Sequence, residues 1–356
     1  MNRRLVIKLA AIVLCLLVSF AALAGCSSGT QQGQQQQEEP APSTAEKFPN
    51  KPLTVYIQFA AGGATDQVVR VLAAEMQNSL GVPVNCVNMP GATGGVATAY
   101  VMGQPHDGYS LIGNSDNVRM FQVMDLGDTS YKDLHLWTAA AGVTCLCVRP
   151  DSPIKTLDDW LETMETKGAD FTVSTSGVGN GWHISMEVLK NATGTDYSNV
   201  PYSGGRPAIT AAMSGEVDAT AAGLMEAIDF IKGGQIVCLA TFNDKPIEIQ
   251  GVGTIPSIGD KVPEIKQYLP FGGWWGLAAP NDIPQEALEA IDKAYAEAIE
   301  SPKFKEFLEQ QTMVWLGYDR QKSKDLAKQE TEFVSWLLHD LGLAKKSPDS
   351  VGIPKP

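Results

Sequence analysis

The sequence predicts an α/β protein of two lobes, each a mostly parallel β-sheet flanked by helices. Three observations predict this fold class. The chain has 356 residues, enough for two domains of about 100–200 residues each. Strand-like and helix-like segments alternate from Pro52 onward, which favours parallel sheets. A chiefly helical tail follows residues 271–280.

The first part of the body reads as a βαβαβ unit. LTVYIQF (53–59) predicts a strand, and the next segment keeps apolar residues at helical spacing until Gly81 ends the helix. VPVNCVN predicts a second strand and GGVATAYVMG a second helix. The turn Asp107-Gly108 then introduces a third strand, YSLIGNS.

The alternation resumes after an apolar stretch, Leu134 to Val148. TLDDWLETMETKG and WHISMEVLKNATG predict helices, and FTVSTS, VDATAAG and QIVCLATF predict strands. The tail contains three predicted helices: EALEAIDKAYAEAIE, a short helix after Ser301-Pro302, and KSKDLAKQETEFVSWLLHDLG.

The N-terminus predicts export and lipidation. Residues 1–25 have basic residues, then a short apolar run and small residues, as in a signal peptide. Leu23-Ala24-Gly25-Cys26 resembles the lipobox of bacterial lipoproteins, in which the cysteine becomes the lipidated first residue; the alternative is an uncleaved anchor. Residues 26–47 are rich in Ser, Gln, Glu and Pro, which predicts a flexible tether.

The charge of the chain argues against nucleic-acid partners. The formal net charge is −13, and it becomes −16 without the three basic residues of the predicted signal peptide. Such a surface repels nucleic acid and anionic headgroups. A small anionic ligand remains compatible, because a buried site depends on its local donors.

The sequence does not favour catalysis. An enzyme would pair a serine of residues 174–176 with His183 as base and would need an orienting acid and a nucleophile elbow, but neither a Gly-x-Ser-x-Gly motif nor a metal motif is present. The histidines have no metal-ligand spacing. The glycines of residues 177–181 do not match a dinucleotide fingerprint. We predict no enzymatic activity, no metal and no cofactor.

Four cysteines in the body have uninformative spacing. Cys145 and Cys147 share a face of a strand-like run with no histidine nearby, so neither a bridge nor zinc is favoured. Buried free thiols are the expected state of all four. A bridge between Cys86 and Cys238 stays open at this point.

Three strand-to-helix loops are candidate ligand sites, because ligands of parallel sheets bind beyond the carboxyl ends of strands. These loops are residues 59–66, 174–183 and 201–207. Their glycines permit close backbone approach, and helix N-termini present N–H groups to an anion. A helix cap is the structural alternative for Asp66, and loop fixation is the alternative for His183.

The loops and the segments between them resemble the tripartite tricarboxylate transporter (TTT) substrate-binding proteins, also called the TctC or Bug family. The resemblance runs from Phe48 to about Leu343 and rests on the order of FPNKPLTVYIQFAAGGATD, GVPVNCVNMPGATGG, HDGYSLI, VPYSGG, GEVDA, LATFNDKP and WWGLAAPNDIP. It implies a type II periplasmic-binding-protein fold with a ligand cleft between the lobes. Lobe I would comprise residues 48–147 and 243–356, and lobe II residues 148–242.

The resemblance also implies which residues bind the ligand. Carried over by position, lobe I would contribute Phe59, Ala61, Gly62, Gly63, Asp66 and Ser115. Lobe II would contribute Thr175, Ser176, Gly179, His183, Tyr202, Ser203, Gly204 and Gly205.

Three positions depart from the family pattern. Gln58 replaces a common proline, Met89 stands where a basic residue is frequent, and Ser203 replaces a frequent lysine. Two positive charges are therefore missing, which favours a mono- or dicarboxylate, amino-bearing or aromatic, over a tricarboxylate.

The resemblance implies an extracytoplasmic solute-binding lipoprotein. It would capture a small carboxylate, such as a di- or tricarboxylate, an acidic amino acid or an aromatic acid, by hinge closure and deliver it to integral-membrane transporter subunits. We expect a monomer attached to the cell membrane only through Cys26. The alternative is a receptor that presents its ligand to a membrane sensor, since both would share fold and pocket.

Overall fold

Two groups of strands are joined by one long strand in this fold. The computed structural model describes residues 47–356. Cys26, the predicted signal peptide and all but the last residue of the predicted tether therefore lie outside the described residues. Within them, the larger sheet has ten strands and a separate hairpin has two. None of the helices in residues 47–356 is long and apolar enough to span a membrane.

The first group of strands forms the parallel sheet that the sequence predicts. Its elements are β1 (Leu53–Ile57), α1 (Ala64–Leu80), β2 (Val84–Asn88), α2 (Gly95–Met102) and β3 (Ser110–Ser115). Strand β1 lies between β2 and β3 and is parallel to both. Helix α1 buries Val68, Val69, Leu72 and Met76 completely, and Gly81 ends it in the left-handed conformation.

The long strand β4 (Leu134–Val148) belongs to both groups of strands. Its 15 residues reach about 50 Å at roughly 3.3 Å per residue. The first part pairs antiparallel with β11 (Gly272–Pro280) and β12 (Val314–Tyr318). The second part pairs antiparallel with β7 (Ala219–Gly223) and β8 (Val237–Thr241).

The second group again alternates strands and helices. Its further elements are α3 (Leu157–Lys167), β5 (Thr172–Thr175), α4 (Gly181–Thr193), β6 (Ser198–Pro201), α5 (Gly205–Ser214) and α6 (Leu224–Lys232). Strand β5 is parallel to β6 and β7. This arrangement confirms the predicted α/β fold class, although β4 and β11 make the sheet mixed.

The tail contains three helices, as predicted, and a strand. The remaining elements are β9 (Ile247–Ile249), β10 (Gly253–Ile255), α7 (Gln285–Glu300), α8 (Pro302–Gln310) and α9 (Arg320–Asp340). The strand β12 and the helix α6 were not predicted. The end of α9 packs Val334 and Leu338 into the same apolar cluster as Trp160 and Phe171 of the second group, across the predicted lobe boundary.

Candidate functional site

The two groups of strands meet at a narrow cavity of about 20 Å³, which we call the cleft. The loop after β1, the end of β3, the N-termini of α4, α5 and α6, and strand β11 converge there. The residues that line the cleft are Phe59, Ala64, Thr65, Ser115, Asp116, Asn117, Ser176, Asn180, Gly181, Trp182, Gly205, Glu226, Gly273 and Trp275.

Direct hydrogen bonds join the two sides of the cleft. The Ala64 N–H donates to Glu226 Oε1 at 2.8 Å, and Arg206 Nε donates to the Gly62 carbonyl at 2.7 Å. At the rim, the Thr93 hydroxyl donates to the Val178 carbonyl at 3.1 Å, and the Ala60 N–H donates to the Ser203 carbonyl at 3.4 Å. The rings of Trp182 and Trp275 lie 6.1 Å apart at the cleft.

The loop from β1 to α1 is held in shape by Asp66. Its Oδ2 accepts the Gly62 N–H at 2.8 Å, and its Oδ1 accepts Arg70 Nε at 2.7 Å and Asn88 Nδ2 at 2.8 Å. Gly62 has a φ of +79°, and a Cβ there would overlap the Arg206 side chain. Asp66 does not line the cleft among the described residues. Its carboxylate positions the loop that carries Ala64 and Thr65.

Of the other predicted residues of this loop, Phe59 lines the cleft, whereas Ala61 is exposed. Gly63 is the N-cap of α1 and contributes no side-chain cap. The first N–H groups of a helix have no intrahelical acceptor, so the backbone of α1 presents donors at the cleft.

Ser115 lines the cleft at the end of β3, and Gln58 holds it there. Gln58 is fully buried, and its Oε1 accepts both the Ser115 N–H at 2.8 Å and the Ser115 hydroxyl at 3.1 Å. Its Nε2 donates to the Thr98 hydroxyl at 2.9 Å. Asn117 Nδ2 donates to Ser115 Oγ at 2.7 Å. Gln58 therefore orders this wall of the cleft.

The loop from β5 to α4 brings Ser176 to the cleft. His183 holds this loop in place without lining the cleft. Asn180 caps α4 by accepting the His183 N–H at 3.0 Å, and its amide donates to Ser176 Oγ. His183 Nδ1 accepts the Gly179 N–H at 2.9 Å, and Nε2 lies 3.4 Å from Glu187. The Thr175 hydroxyl donates to Asn199 at 2.7 Å. His183, Gly179 and Thr175 are not among the described residues that line the cleft.

The corner after β6 is divided between the cleft and a neighbouring groove. Gly205 lines the cleft, whereas Tyr202 and Ser203 line a groove of about 230 Å³ beside it. The Tyr202 hydroxyl donates to Glu216 at 2.8 Å. A Cβ on Gly204 would lie 3.2 Å from the Ala60 side chain, so this corner approaches the opposite loop closely.

The sequence interpretation missed Glu226, the acid in the first turn of α6. Its carboxylate accepts the Ala64 N–H and, through Oε2 at 3.1 Å, the Gly223 N–H. It is only 4% exposed, and burial raises its pKa. An acid three residues after an N-cap is an ordinary capping residue, so the sequence pattern does not distinguish it from a surface cap.

Asp116 is the second buried acid of the cleft. Burial raises the pKa of this carboxyl to about 6, although the Arg119 guanidinium lies 2.5 Å from its Oδ2 and lowers the pKa. Arg119 also pairs with Glu330. The cleft therefore contains two carboxylates, and Arg119 is shared between Asp116 and an acid outside it.

Two other features of the described residues lie apart from the cleft. A wider groove of about 640 Å³ is lined by residues of β4, α7 and α9, but no helix N-termini converge on it from both groups of strands. The thiols of Cys145, Cys147 and Cys238 lie within 4.8 Å of one another inside an apolar cluster. All four described cysteines are free, so no Cys86–Cys238 bridge is present, and Cys86 is only partly buried.

Comparison with known proteins places this chain in a family. Residues 68–343 match the sequence model of the tripartite tricarboxylate transporter family receptors. The chain belongs to this family. A UPF0065 protein from the gbd 5' region of Cupriavidus necator is 28% identical over 308 residues, which cover 86% of this chain and 92% of that protein.

Solved structures share the fold of this TTT family receptor. The periplasmic binding protein BugD matches with a TM-score of 0.78 and 23% identity over 84% of this chain and 100% of BugD. MatC from Rhodopseudomonas palustris with bound malate matches with a TM-score of 0.72 and 24% identity over 82% of this chain and 100% of MatC. The predicted two-lobed periplasmic-binding-protein fold is thereby confirmed. Family and fold are those of substrate-binding proteins rather than enzymes.

Proposed function

We propose that this TTT family receptor binds a small carboxylate in the cleft by hinge closure and delivers it to integral-membrane transporter subunits. The supporting observation is the convergence of backbone N–H groups of α1 with the polar side chains of Ser115, Asn117 and Ser176 in a cleft between two lobes. Helix N-termini and hydroxyls bind anions without a full positive charge. The structural neighbour MatC has bound malate, which is a small carboxylate.

Hinge closure explains why contacts on both sides of the cleft matter. A ligand that touches both lobes stabilises the closed arrangement only to the extent that it binds the closed arrangement more tightly than the open one. The bonds of Ala64 and Arg206 to the opposite lobe are among the protein's own contributions to closure.

The binding experiment uses the full chain purified in mild detergent. Calorimetry and thermal shift compare mono-, di- and tricarboxylates, acidic amino acids and aromatic acids. A ligand at about 100 times its Kd stabilises the folded state by roughly 2.7 kcal/mol and raises Tm. Binding of sugars or cationic amino acids with no response to any carboxylate would contradict the proposal.

A deletion strain separates transport from the sensor alternative. Loss of carboxylate uptake supports delivery to a transporter. Retained uptake with loss of carboxylate-dependent gene induction would favour the sensor alternative.

We further propose that Cys26 is lipidated and tethers the receptor, as a monomer, outside the cytoplasm. The lipobox-like Leu23-Ala24-Gly25-Cys26 and the polar segment after it support this attachment. Metabolic labelling with a fatty acid should mark the wild-type protein and not a Cys26→Ser variant. Equal labelling of both would contradict it.

A further inference from the structure

We infer that the ligand carries an ammonium group beside its carboxylate, and that the Glu226 carboxylate recognises this ammonium. The inference rests on the proposed function, because it concerns the chemical class of the carboxylate that the cleft accepts. Its ligands are amino acids rather than plain di- or tricarboxylates. Glu226 is therefore a specificity-determining residue.

The charge balance of the cleft is the first observation. Asp116 and Glu226 are both 4% exposed, and no lysine, arginine or histidine is among the described residues lining the cleft. Arg119 serves Asp116 and Glu330. Within residues 47–356, Glu226 makes no ion pair, and its described partners are N–H donors, which include Ala64, Gly223 and the Trp182 indole. The Arg206 guanidinium is near enough to lower the pKa of Glu226, but its Nε donates to the Gly62 carbonyl and it does not line the cleft. A ligand with a positive charge supplies the counter-charge that the cleft lacks.

The acceptors of the cleft are the second observation. Asn117 is 1% exposed, and its Oδ1 has no hydrogen-bond partner within the described residues. Its amide nitrogen is already used by Ser115 Oγ. A buried acceptor without a donor is costly unless a ligand satisfies it. An ammonium has three donors and no acceptor, which suits Glu226 and Asn117 together.

Donors for the ligand carboxylate also remain in the cleft. The Ala64 N–H is taken by Glu226, but Thr65 and Asp66 are also in the first turn of α1, where N–H groups have no intrahelical acceptor. Ser176 Oγ accepts from the Asn180 amide, which leaves its own proton to donate. The cleft thus offers donors near the start of α1 and acceptors at Glu226 and Asn117.

A ligand with a second carboxylate in place of the ammonium would meet Glu226 instead of a donor. Two carboxylates that share a buried site repel each other, and one must take up a proton or move away. Glu226 cannot move without leaving the N–H groups of Ala64 and Gly223 unpaired. Plain dicarboxylates are therefore disfavoured relative to amino acids of the same shape.

The test uses pairs of probes that differ only by the amino group, with the full chain in detergent. The pairs are aspartate and succinate, glutamate and glutarate, alanine and propionate, phenylalanine and 3-phenylpropionate, and 4-aminobutyrate and butyrate. Calorimetry at pH 7.5 should show the amino member of the binding pair at least about tenfold tighter, the gain of one good charge-assisted contact.

Glu226→Gln keeps the size of the side chain and removes its charge, so it should reduce this preference by about tenfold. The matched control is Asp229→Asn, an exposed acid on the same helix, which should leave the ratio unchanged. The ratio of two affinities measured on one preparation does not depend on the fraction of folded protein. Thermal unfolding of each variant reports folding separately.

The outcomes distinguish the inference from the proposed function. Tighter binding of the unsubstituted acids in the wild type, or an unchanged ratio in Glu226→Gln, overturns the inference while carboxylate binding stands. If no member of any pair binds, the inference and the carboxylate proposal both fail.

Discussion

Gly205→Ala tests whether the contact between α5 and Glu226 organises the cleft. A Cβ on Gly205 would overlap Cδ and both oxygens of the Glu226 carboxylate. Gly205 does not have a positive φ, so alanine fits its backbone. The three atoms nearest to that Cβ all belong to Glu226, so the substitution should displace its carboxylate from the N–H groups of Ala64 and Gly223.

The magnitude follows from the two bonds that would be lost. The Glu226 carboxylate accepts N–H groups at 2.8 and 3.1 Å, and a hydrogen bond to a charged group contributes about 1.5–3 kcal/mol. The displaced carboxylate regains some hydration, which offsets part of this loss. We expect Gly205→Ala to lower the free energy of unfolding by about 2–4 kcal/mol.

A double-mutant cycle with Glu226→Ala isolates the contact. In the Glu226→Ala background no carboxylate remains to be displaced, so Gly205→Ala should change the free energy of unfolding by less than about 0.5 kcal/mol. Urea unfolding at pH 7.5 measures all four proteins, and equal m-values establish that they unfold from comparable native states. An equal cost of Gly205→Ala in both backgrounds would refute the reasoning.

Three further predictions concern buried polar groups and thiols. Gln58→Ala leaves the buried N–H of Ser115 unpaired and should cost about 2–3 kcal/mol of stability in urea unfolding, and a loss below about 0.5 kcal/mol would contradict this role. Burial raises the pKa of Asp116 from 3.8 to about 6, so the native state binds the proton more tightly and stability falls as pH rises from 4 to 7. Unfolding at both pH values should show this fall, up to about 3 kcal/mol, in the wild type but reduced in Asp116→Asn, and equal falls would contradict the assignment. Cys147→Ser places a hydroxyl in the apolar cluster and should destabilise the protein by about 1–3 kcal/mol in urea unfolding, more than Cys147→Ala does, and the reverse order would argue against an apolar environment.

Local patterns in the sequence predict the parts of the site that each lobe forms by itself. The loops at 59–66 and 174–183 combine a strand, glycines and a helix start, so their place at the cleft follows from sheet geometry. The role of Asp66 as a loop brace depends on Arg70 and Asn88. Asn88 is 22 residues away in the chain, and no local pattern gives that contact.

Glu226 shows why the remainder of the site was not predicted. The helix α6 that carries it lies between two predicted strands, and its acid occupies a position typical of capping. Its partner across the cleft, Ala64, is 162 residues earlier. That contact arises only when the two groups of strands, joined by β4, meet. Similarly, β12 completes a sheet edge against β4, and pairing of this kind depends on tertiary structure more than on strand propensity.

The cleft has little positive charge, as the departures from the family pattern suggest. The residues responsible differ from those that the sequence indicates. Sequence reasoning placed the missing charges at Met89 and Ser203, but neither side chain lines the cleft among the described residues. The acids at 116 and 226 do line it. A lysine at position 203 would face the neighbouring groove rather than the buried carboxylates. The electrostatic preference of the cleft is therefore set by Glu226 and Asp116, and restoring a lysine at 203 would not replace an ammonium brought by the ligand.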